Sequence, residues 1–539
     1  MDKIIRSNQA LRWIIAAALI GAPLLAAAGT WQTLKNPPPL PEVIDPSTGI
    51  DYGPGGAAGP LLMTDGGVLI QNNGYNGEDG SILKLTPDSN GSYVNGTWTQ
   101  LASKPFISTA ASQAVLADGR IIIEGGEYSN YEYDFLLTNQ GALYDPVSNT
   151  WTSVPPPLFF NDPYPPRAVF APHPIGDSQN IVLPDGTFML ADKMSHQAAL
   201  LDLKSLTWTE TGTATKADLN DEEGWTLLPD GKVLTVDCYT DYHFGLVPNY
   251  PANPTNSEIY DPATGEWSSA GSTIHTLTDP LLSEMGPAML RPDGNVFVVG
   301  SSGNSAIYET HKGRWVTGPT LPISPQGFQY TAQDAPGALL PSGNVLIAAS
   351  GGSAAFGYSN PPVAFFEFDG HRFIAEPTIP NAANDVSGSI SLLLLPTGQV
   401  LSVDSTNDVE IYTPDEKTGD DRDDERSEWA PRITSAPRVV SAGGSYRLEG
   451  IRLNGMSQAS VFGDELQDAT NYPLVRITNL NTRHVFYSRT HDHSSMAVAS
   501  ERESSTHFDV PAVQEPGPSR LEVVANGIAS EPVLVYVKK

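Results

Sequence analysis

The sequence predicts an all-β protein: a seven-bladed β-propeller closed by an N-terminal strand, followed by an immunoglobulin-like β-sandwich. Three observations carry this expectation. An apolar run, a tight turn ending in glycine and a second apolar run recur seven times, with the turn glycines at Gly66, Gly119, Gly186, Gly231, Gly294, Gly343 and Gly398. The first six copies continue into an aromatic residue, namely Trp98, Trp151, Trp208, Trp267, Trp315 and Phe373, whereas the seventh reaches none before the charged segment after Pro414. The missing aromatic strand stands at the other end of the chain, in Gly29-Thr30-Trp31-Gln32-Thr33-Leu34. The 49 glycines and 46 prolines of the 539 residues favour short strands and turns over helices.

Along the chain, residues 1–28 read as an export signal. Lys3, Arg6 and Arg12 precede the apolar run 13–25 and the small-residue site Ala26-Ala27-Ala28. Cleavage after Ala28 would take the net charge from −31 to −33, through loss of three basic residues and Asp2. An uncleaved anchor is the rival reading, but the run is short against the ~20 residues that a bilayer span needs. No other stretch could span a membrane. A periplasmic or secreted location fits best. Cys238 is the only cysteine, so no intramolecular disulfide accompanies export.

Residues 29–414 form the propeller. Copy four is the template: an inner strand at 223–228, a turn at Pro229-Asp230-Gly231 and an apolar strand at 232–237. After an insertion come a third strand at 258–260, the Asp261-Pro262 turn and a fourth strand carrying Trp267. Glycine takes positive φ in such turns, while proline presets φ and aspartate bonds its own backbone. Strands apolar on both faces suit blades stacked between blades. Glycine-to-glycine spacings run from 45 residues (Gly186 to Gly231) to 67 (Gly119 to Gly186), the range of kelch-type blades with insertions. Residues 415–428, with Asp420, Asp421, Asp423, Asp424 and Glu425, read as an acidic linker; they lack the ligand spacing and glycine of a calcium loop. From 429 to 539, alternating strands such as 445–449, 474–477 and 521–524 predict the sandwich.

In a four-stranded blade, the turns after strands one and three share one face of the disc, and the connections after strands two and four share the other. The second set is long here: 125–138, 155–172, 238–257, 271–285 and 351–362. Irregular loops on a rigid scaffold are where binding usually lives. These loops hold Tyr128, Tyr131 and Tyr133 among Glu127, Glu132 and Asp134. They also hold Tyr164 beside Asp162 and Arg167, and Tyr239, Tyr242, His243 and Tyr250 near Asp237 and Asp241; Tyr358 lies in another. Flat aromatic faces beside carboxylates suit a polyhydroxylated ligand, and the same tyrosines also suit simple loop packing. Asp177, Glu222, Glu223, Glu284, Asp334 and Asp385 precede inner strands and would surround the channel mouth. Such a ring suits a hard cation such as calcium, although chance placement is the simpler account in so acidic a chain. With 30 basic against 61 acidic residues, no nucleic-acid partner is expected.

The arrangement resembles galactose oxidase and glyoxal oxidase, copper-radical oxidases with a seven-bladed kelch propeller and an immunoglobulin-like early-set domain. The most specific part is the last repeat, Val386-Ser387-Gly388-Ser389-Ile390-Ser391-Leu392. The resemblance implies a copper-binding Tyr-His pair at its second and third positions, where this chain has Ser387 and Gly388. It also implies a crosslinked cysteine ahead of an inner strand. Cys238 follows a second strand instead, and reads as a buried small hydrophobe. A last copper-ligand histidine, on a cap loop entering the propeller, is implied at Thr490-His491-Asp492-His493, upstream of Phe508-Asp509-Val510-Pro511.

Copper-radical oxidation needs two imidazoles and two phenolates, so copper and that activity are not expected. His491 and His493, two apart on a strand, would share a face. With His507, or with Glu222 and Glu223, they could bind zinc or another divalent metal for non-redox chemistry; polar packing is the alternative. There is no nucleophile elbow, phosphate-binding glycine loop or metalloprotease motif. The first expectation is an exported protein that binds a carbohydrate or cell-surface polymer on its loop-rich face. A metal-dependent enzyme using His491 and His493, and a protein–protein scaffold, are the alternatives.

Overall fold

Seven antiparallel sheets, six of them four-stranded and that of blade six widened to six strands, stand in sequence order in the computed structural model, which describes residues 29–74, 77–130, 136–160, 172–238, 255–278, 284–352, 359–415, 428–463 and 467–539. Blade four shows the pattern: Thr226–Leu227, Val233–Val236, Asn256–Asp261 and Glu266–Ser272, each paired to the next. The second strands are buried on both faces, as in Ile121–Glu124 and Val296–Gly300, because each blade packs between two others. Outer strands such as Thr97–Gln100 and Thr150–Val154 alternate with solvent. All seven turn glycines have φ between 76° and 90°, a backbone that a side chain would strain. Each donates its N–H three residues back, as Gly66 does to Met63 at 2.9 Å.

The ring closes as expected. Thr30–Thr33 pairs antiparallel with Val409–Thr413, with Trp31 opposite Tyr412, so the first described strand completes blade seven. The outer-strand tryptophans also have a shared role that the spacing alone did not show. Four of the six indole N–H groups reach back to a carbonyl beyond the outer strand of the preceding blade, Trp98 to Asn36, Trp151 to Ala102, Trp208 to Pro155 and Trp31 to Pro377, at 2.7–2.9 Å, whereas that of Trp267 has no hydrogen-bond partner among the described residues. Trp31 makes the same joint as three of the others, so the seam is built like those inter-blade contacts. Trp315 departs from the pattern and donates to the Ser257 hydroxyl.

The C-terminal strands run in the order Arg432–Ser435, Ser445–Ile451, Ser504–Asp509, Val485–His491, Leu474–Asn479, Gly517–Ala525, Val533–Lys538 and Val439–Ser441, curling around a core that includes Leu448, Val475, Phe508 and Leu521. This sandwich docks on the hairpin-turn face of the disc. The Tyr487 ring covers Gly66, the His493 N–H donates to Ala117 and the Met496 N–H to Pro184. Among the described residues no helix is long and apolar enough to cross a membrane.

A polar segment of the sandwich between Asn454 and Asn471 enters the propeller axle. Ser460–Val461 pairs with the blade-six inner strand Gly337–Leu339, extending that sheet. The Gln458 side-chain amide oxygen accepts the Leu227 N–H at 2.8 Å and the Ser460 hydroxyl accepts that of Leu394 at 2.8 Å. The Asp468 carboxylate takes the Gln113 amide at 2.7 Å. Inner strands of blades two, four, six and seven are thereby tied to one axle. The segment that enters is not the one holding Thr490 and His491, which ends a strand at the hairpin face.

The shared joint gives a stability prediction. Trp31→Ala removes a ring that lies 4.8 Å from Phe365 and 5.0 Å from Tyr412, together with the closing hydrogen bond. It should cost about 3 kcal/mol in chemical denaturation, and Trp31→Phe only about 1 kcal/mol for the lost bond. Equal and negligible losses would contradict closure through this strand.

Candidate functional site

The loops that feed the inner strands converge on the propeller axis at the face opposite the sandwich. They enclose a cavity of about 240 Å³. Five carboxylic residues line it: Glu127, Asp177, Glu222, Glu284 and Asp334. Four of them lie one to four residues ahead of the inner strands Asn180–Val182, Thr226–Leu227, Met285–Leu290 and Gly337–Leu339. Tyr128 joins the wall, and Phe462 from the axle segment contributes to the lining from below.

Backbone strain concentrates here. Ala110, Glu222, Asp334 and Ser405 all line the cavity, and all have positive φ, between 44° and 59°. Non-glycine residues in this region cluster where side-chain placement is over-determined by function. At Glu222 (φ 57°) the twist sends neighbouring side chains to opposite sides. Glu222 meets the axial cavity and Lys193, whereas Glu223 turns to Lys216 and Thr235. The Glu222 carbonyl accepts the Cys238 thiol at 2.8 Å, so Cys238 is a buried, bonded packing residue whose thiol is pushed up by burial.

One ammonium sits behind the wall. Lys193 is fully buried and lies 2.5 Å from Asp177, 2.6 Å from Glu222 and 3.1 Å from Asp221. Burial alone would lower it, but these carboxylates hold it well above the ordinary lysine value. One oxygen each of Glu222, Glu284 and Asp334 lies within 4.8 Å of the others. Carboxyl oxygens crowded this closely oppose full ionisation, which favours a proton within the group. Burial, then the charge of Glu222, lifts Asp334 to about 7. Burial lifts Glu127 to about 7 against the pull of Lys193, and burial with Asp334 and Glu222 lifts Glu284 well above its usual range. Near neutral pH the cavity therefore offers both hydroxyl donors and carboxylate acceptors.

The expected site residues divide accordingly. Tyr128 and Glu222 reach the cavity; Glu223 does not, and Asp385 bonds Asn381 instead. Tyr131, Tyr133, Tyr164, Arg167, Tyr239, Tyr242 and His243 lie outside the described residues. His491, His493 and His507 are on the hairpin face with the sandwich, so no joint site with Glu222 and Glu223 forms. Nor do His491 and His493 share a face, because Asp492 at φ 51° breaks the strand between them. His491 bonds Asp492 and Asp509. His493 is buried on Thr506, where burial, then His491, push it down to about 3, leaving a neutral packing residue. Lys193, Asp221, Phe462 and Ser389 were not anticipated. The one available signal was a lysine two residues after an all-apolar strand, at the position Cys238 takes in the next blade.

Gly388 also opens on the cavity, 3.1 Å from Asp334 by the place a Cβ would take. The oxidase resemblance would put a copper-binding imidazole there. The described donors around the cavity are carboxyls, hydroxyls and amides with no imidazole, a hard oxygen set that does not fit copper of that class.

No protein-family model matches the chain. The kelch-like protein terF of Aspergillus terreus (strain NIH 2624 / FGSC A1156) is 25% identical over 208 residues, 38% of this chain and 38% of that protein. The chain thus spans well under half the length of the curated relative that it matches. The propeller is of the kelch type. Among solved structures, a fungal alcohol oxidase of the AA5 family, in complex with copper, is similar over 91% of this chain and 86% of its own, at 15% identity and a TM-score of 0.41. Virginiamycin B lyase from Staphylococcus aureus is similar over 71% and 99%, at 10% identity and a TM-score of 0.41. These likenesses concern fold alone.

Buried carboxyls with raised values bind protons more tightly folded than unfolded. Their stabilisation is complete below about pH 4 and is lost as pH rises through about 7. In EDTA, the melting temperature should therefore fall between pH 5 and pH 8, with a shallower fall for Asp334→Asn. A melting temperature that rises across this window would contradict the protonated cluster.

Proposed function

We propose that this kelch propeller is an exported binding protein whose axial cavity takes the end of a carbohydrate or another hydroxyl-rich cell-surface polymer. The carrying observation is the meeting of five carboxylic side chains and Tyr128 in one cavity on the loop-bearing face. Neighbouring protonated and ionised carboxyls donate to and accept from sugar hydroxyls, and the tyrosine offers a flat apolar surface. At about 240 Å³ the cavity lies below the ~300–1,000 Å³ of drug-sized sites, which favours a chain end over a long segment. The Lys3–Arg6–Arg12 signal pattern supports export.

A second reading, a metal-dependent non-redox enzyme, draws on the clustered oxygens of Glu222, Glu284 and Asp334 rather than on the histidines. A glycan array followed by calorimetry on the purified protein separates the two. The binding reading expects glycan affinity that survives EDTA and weakens at least tenfold in Tyr128→Ala and Asp334→Asn. Affinity or turnover that appears only with added divalent metal would favour the second reading. Absence of any glycan interaction in either condition would remove the first.

A further inference from the structure

A second group of acids lies under blade four, outside the axial cavity. Asp218, Glu223, Asp237 and Glu258 are 0–3% exposed, and they surround one ammonium, Lys216. Lys216 spends its three donors on Asp218 Oδ1, on Glu223 Oε1 at 3.0 Å and on Glu258 Oε2 at 2.7 Å. Glu258 also accepts the Ala217 N–H, and Glu223 the Thr235 hydroxyl. Asp237 is left over. It is 1% exposed, and among the described residues neither of its oxygens has a hydrogen-bond partner, nor has Asp218 Oδ2. Four carboxylates against one ammonium leave three negative charges inside the protein when all are ionised. Isolated buried carboxylates are costly, and a protein removes the cost by protonation or with a cation.

The geometry distinguishes these two solutions. A shared proton needs two carboxyl oxygens at hydrogen-bond distance, whereas both Asp237 oxygens lack a hydrogen-bond partner among the described residues. Asp237 feels Asp218 by charge but has no hydrogen bond to it. Instead, one oxygen each of Asp218, Glu223 and Asp237 lies within 4.8 Å of the other two. Oxygens 2.3–2.6 Å from a common ion are separated by at most about 5 Å, so this spacing is that of ligands around one hard cation. We propose that Asp218, Glu223 and Asp237 bind a divalent cation of the calcium class. The ion joins the segment before the blade-four inner strand to the end of its second strand. Those two stretches place Glu222 on the axial wall, since Glu222 adjoins Glu223 and bonds Cys238, which adjoins Asp237. The ion is then a structural clamp behind the axial cavity, and its presence does not depend on what that cavity binds.

The full-length protein, stripped with EDTA and dialysed, is titrated with calcium chloride in a calorimeter and melted with and without calcium. The expected result is saturable binding and a calcium-dependent rise in melting temperature. Both are reduced at least tenfold in affinity by Asp237→Asn and kept by Asp334→Asn, which alters only the axial cavity. Terbium supplies a readout that leaves every ligand in place. Its tryptophan-sensitised luminescence should be displaced by calcium and fall in Trp267→Phe, since that ring lies 5.4 Å from Lys216 Nζ. Absence of calcium binding to the wild-type protein overturns the proposal, even if Asp237→Asn fails to fold. So does binding lost only in Asp334→Asn, which would assign the ion to the axial cavity, or an Asp237→Asn variant with undiminished calcium affinity.

Discussion

The pairing of Thr30–Thr33 with Val409–Thr413 sets the geometry on which everything else rests. A ring of blades has a fixed radius only when its last blade is complete, and here completion comes from the other end of the chain. The repeated indole-to-carbonyl bond then locks neighbouring blades in register, at the seam as elsewhere. With the radius fixed, the loops entering successive inner strands must point at the axis. That is why Asp177, Glu222, Glu284 and Asp334, distant in sequence, meet in one cavity. The opposite face, built of uniform glycine turns, is flat enough to seat the sandwich and to admit its axle segment.

The same ring explains how so acidic a chain buries acids. Lys104, Lys193 and Lys216 each have fully buried side chains, and each is surrounded by carboxylates or amides from adjoining loops. Lys104 meets Glu78 at 2.9 Å and donates to the Gln71 side chain at 2.8 Å. In a medium of low dielectric constant these ammonium groups pull neighbouring carboxyls down, although burial still holds Glu78, Asp218 and Glu223 above their ordinary values, and acids beyond their reach hold protons or require another cation. The interior is therefore a mosaic of compensated and uncompensated charge. The uncompensated parts face the axis and the underside of blade four.

The blades were legible because their signals are local. A glycine at positive φ, an aspartate turn and an apolar run act within ten residues, and the count of aromatic strands exposed the closure. The positions of the axial acids were legible too, as residues preceding inner strands. Which of them converge was not. Glu222 and Glu223 differ only in a backbone twist, and no sequence pattern announces positive φ at a glutamate. The histidines misled for a similar reason: two residues apart implies one face only while the strand persists, and Asp492 ends it. The axle segment left no trace because it is polar. Asn454, Gln458, Ser460 and Asp468 resemble an ordinary loop, and only the exposed backbone groups of the inner strands give them partners.

The seam has a consequence for the order of assembly. Trp31 and its acceptor Pro377 are 346 residues apart, so the first strand made waits for nearly the whole propeller before it has anything to pair with. Closing a loop of that length costs roughly 5 kcal/mol of chain entropy. Until then six blades present two raw edges and an open axle. The axle segment is made later still and can enter only once its surrounding strands exist. Assembly of this molecule is thus a late, concerted event in which the two ends of the propeller segment arrive together, and a partly synthesised chain remains unclosed.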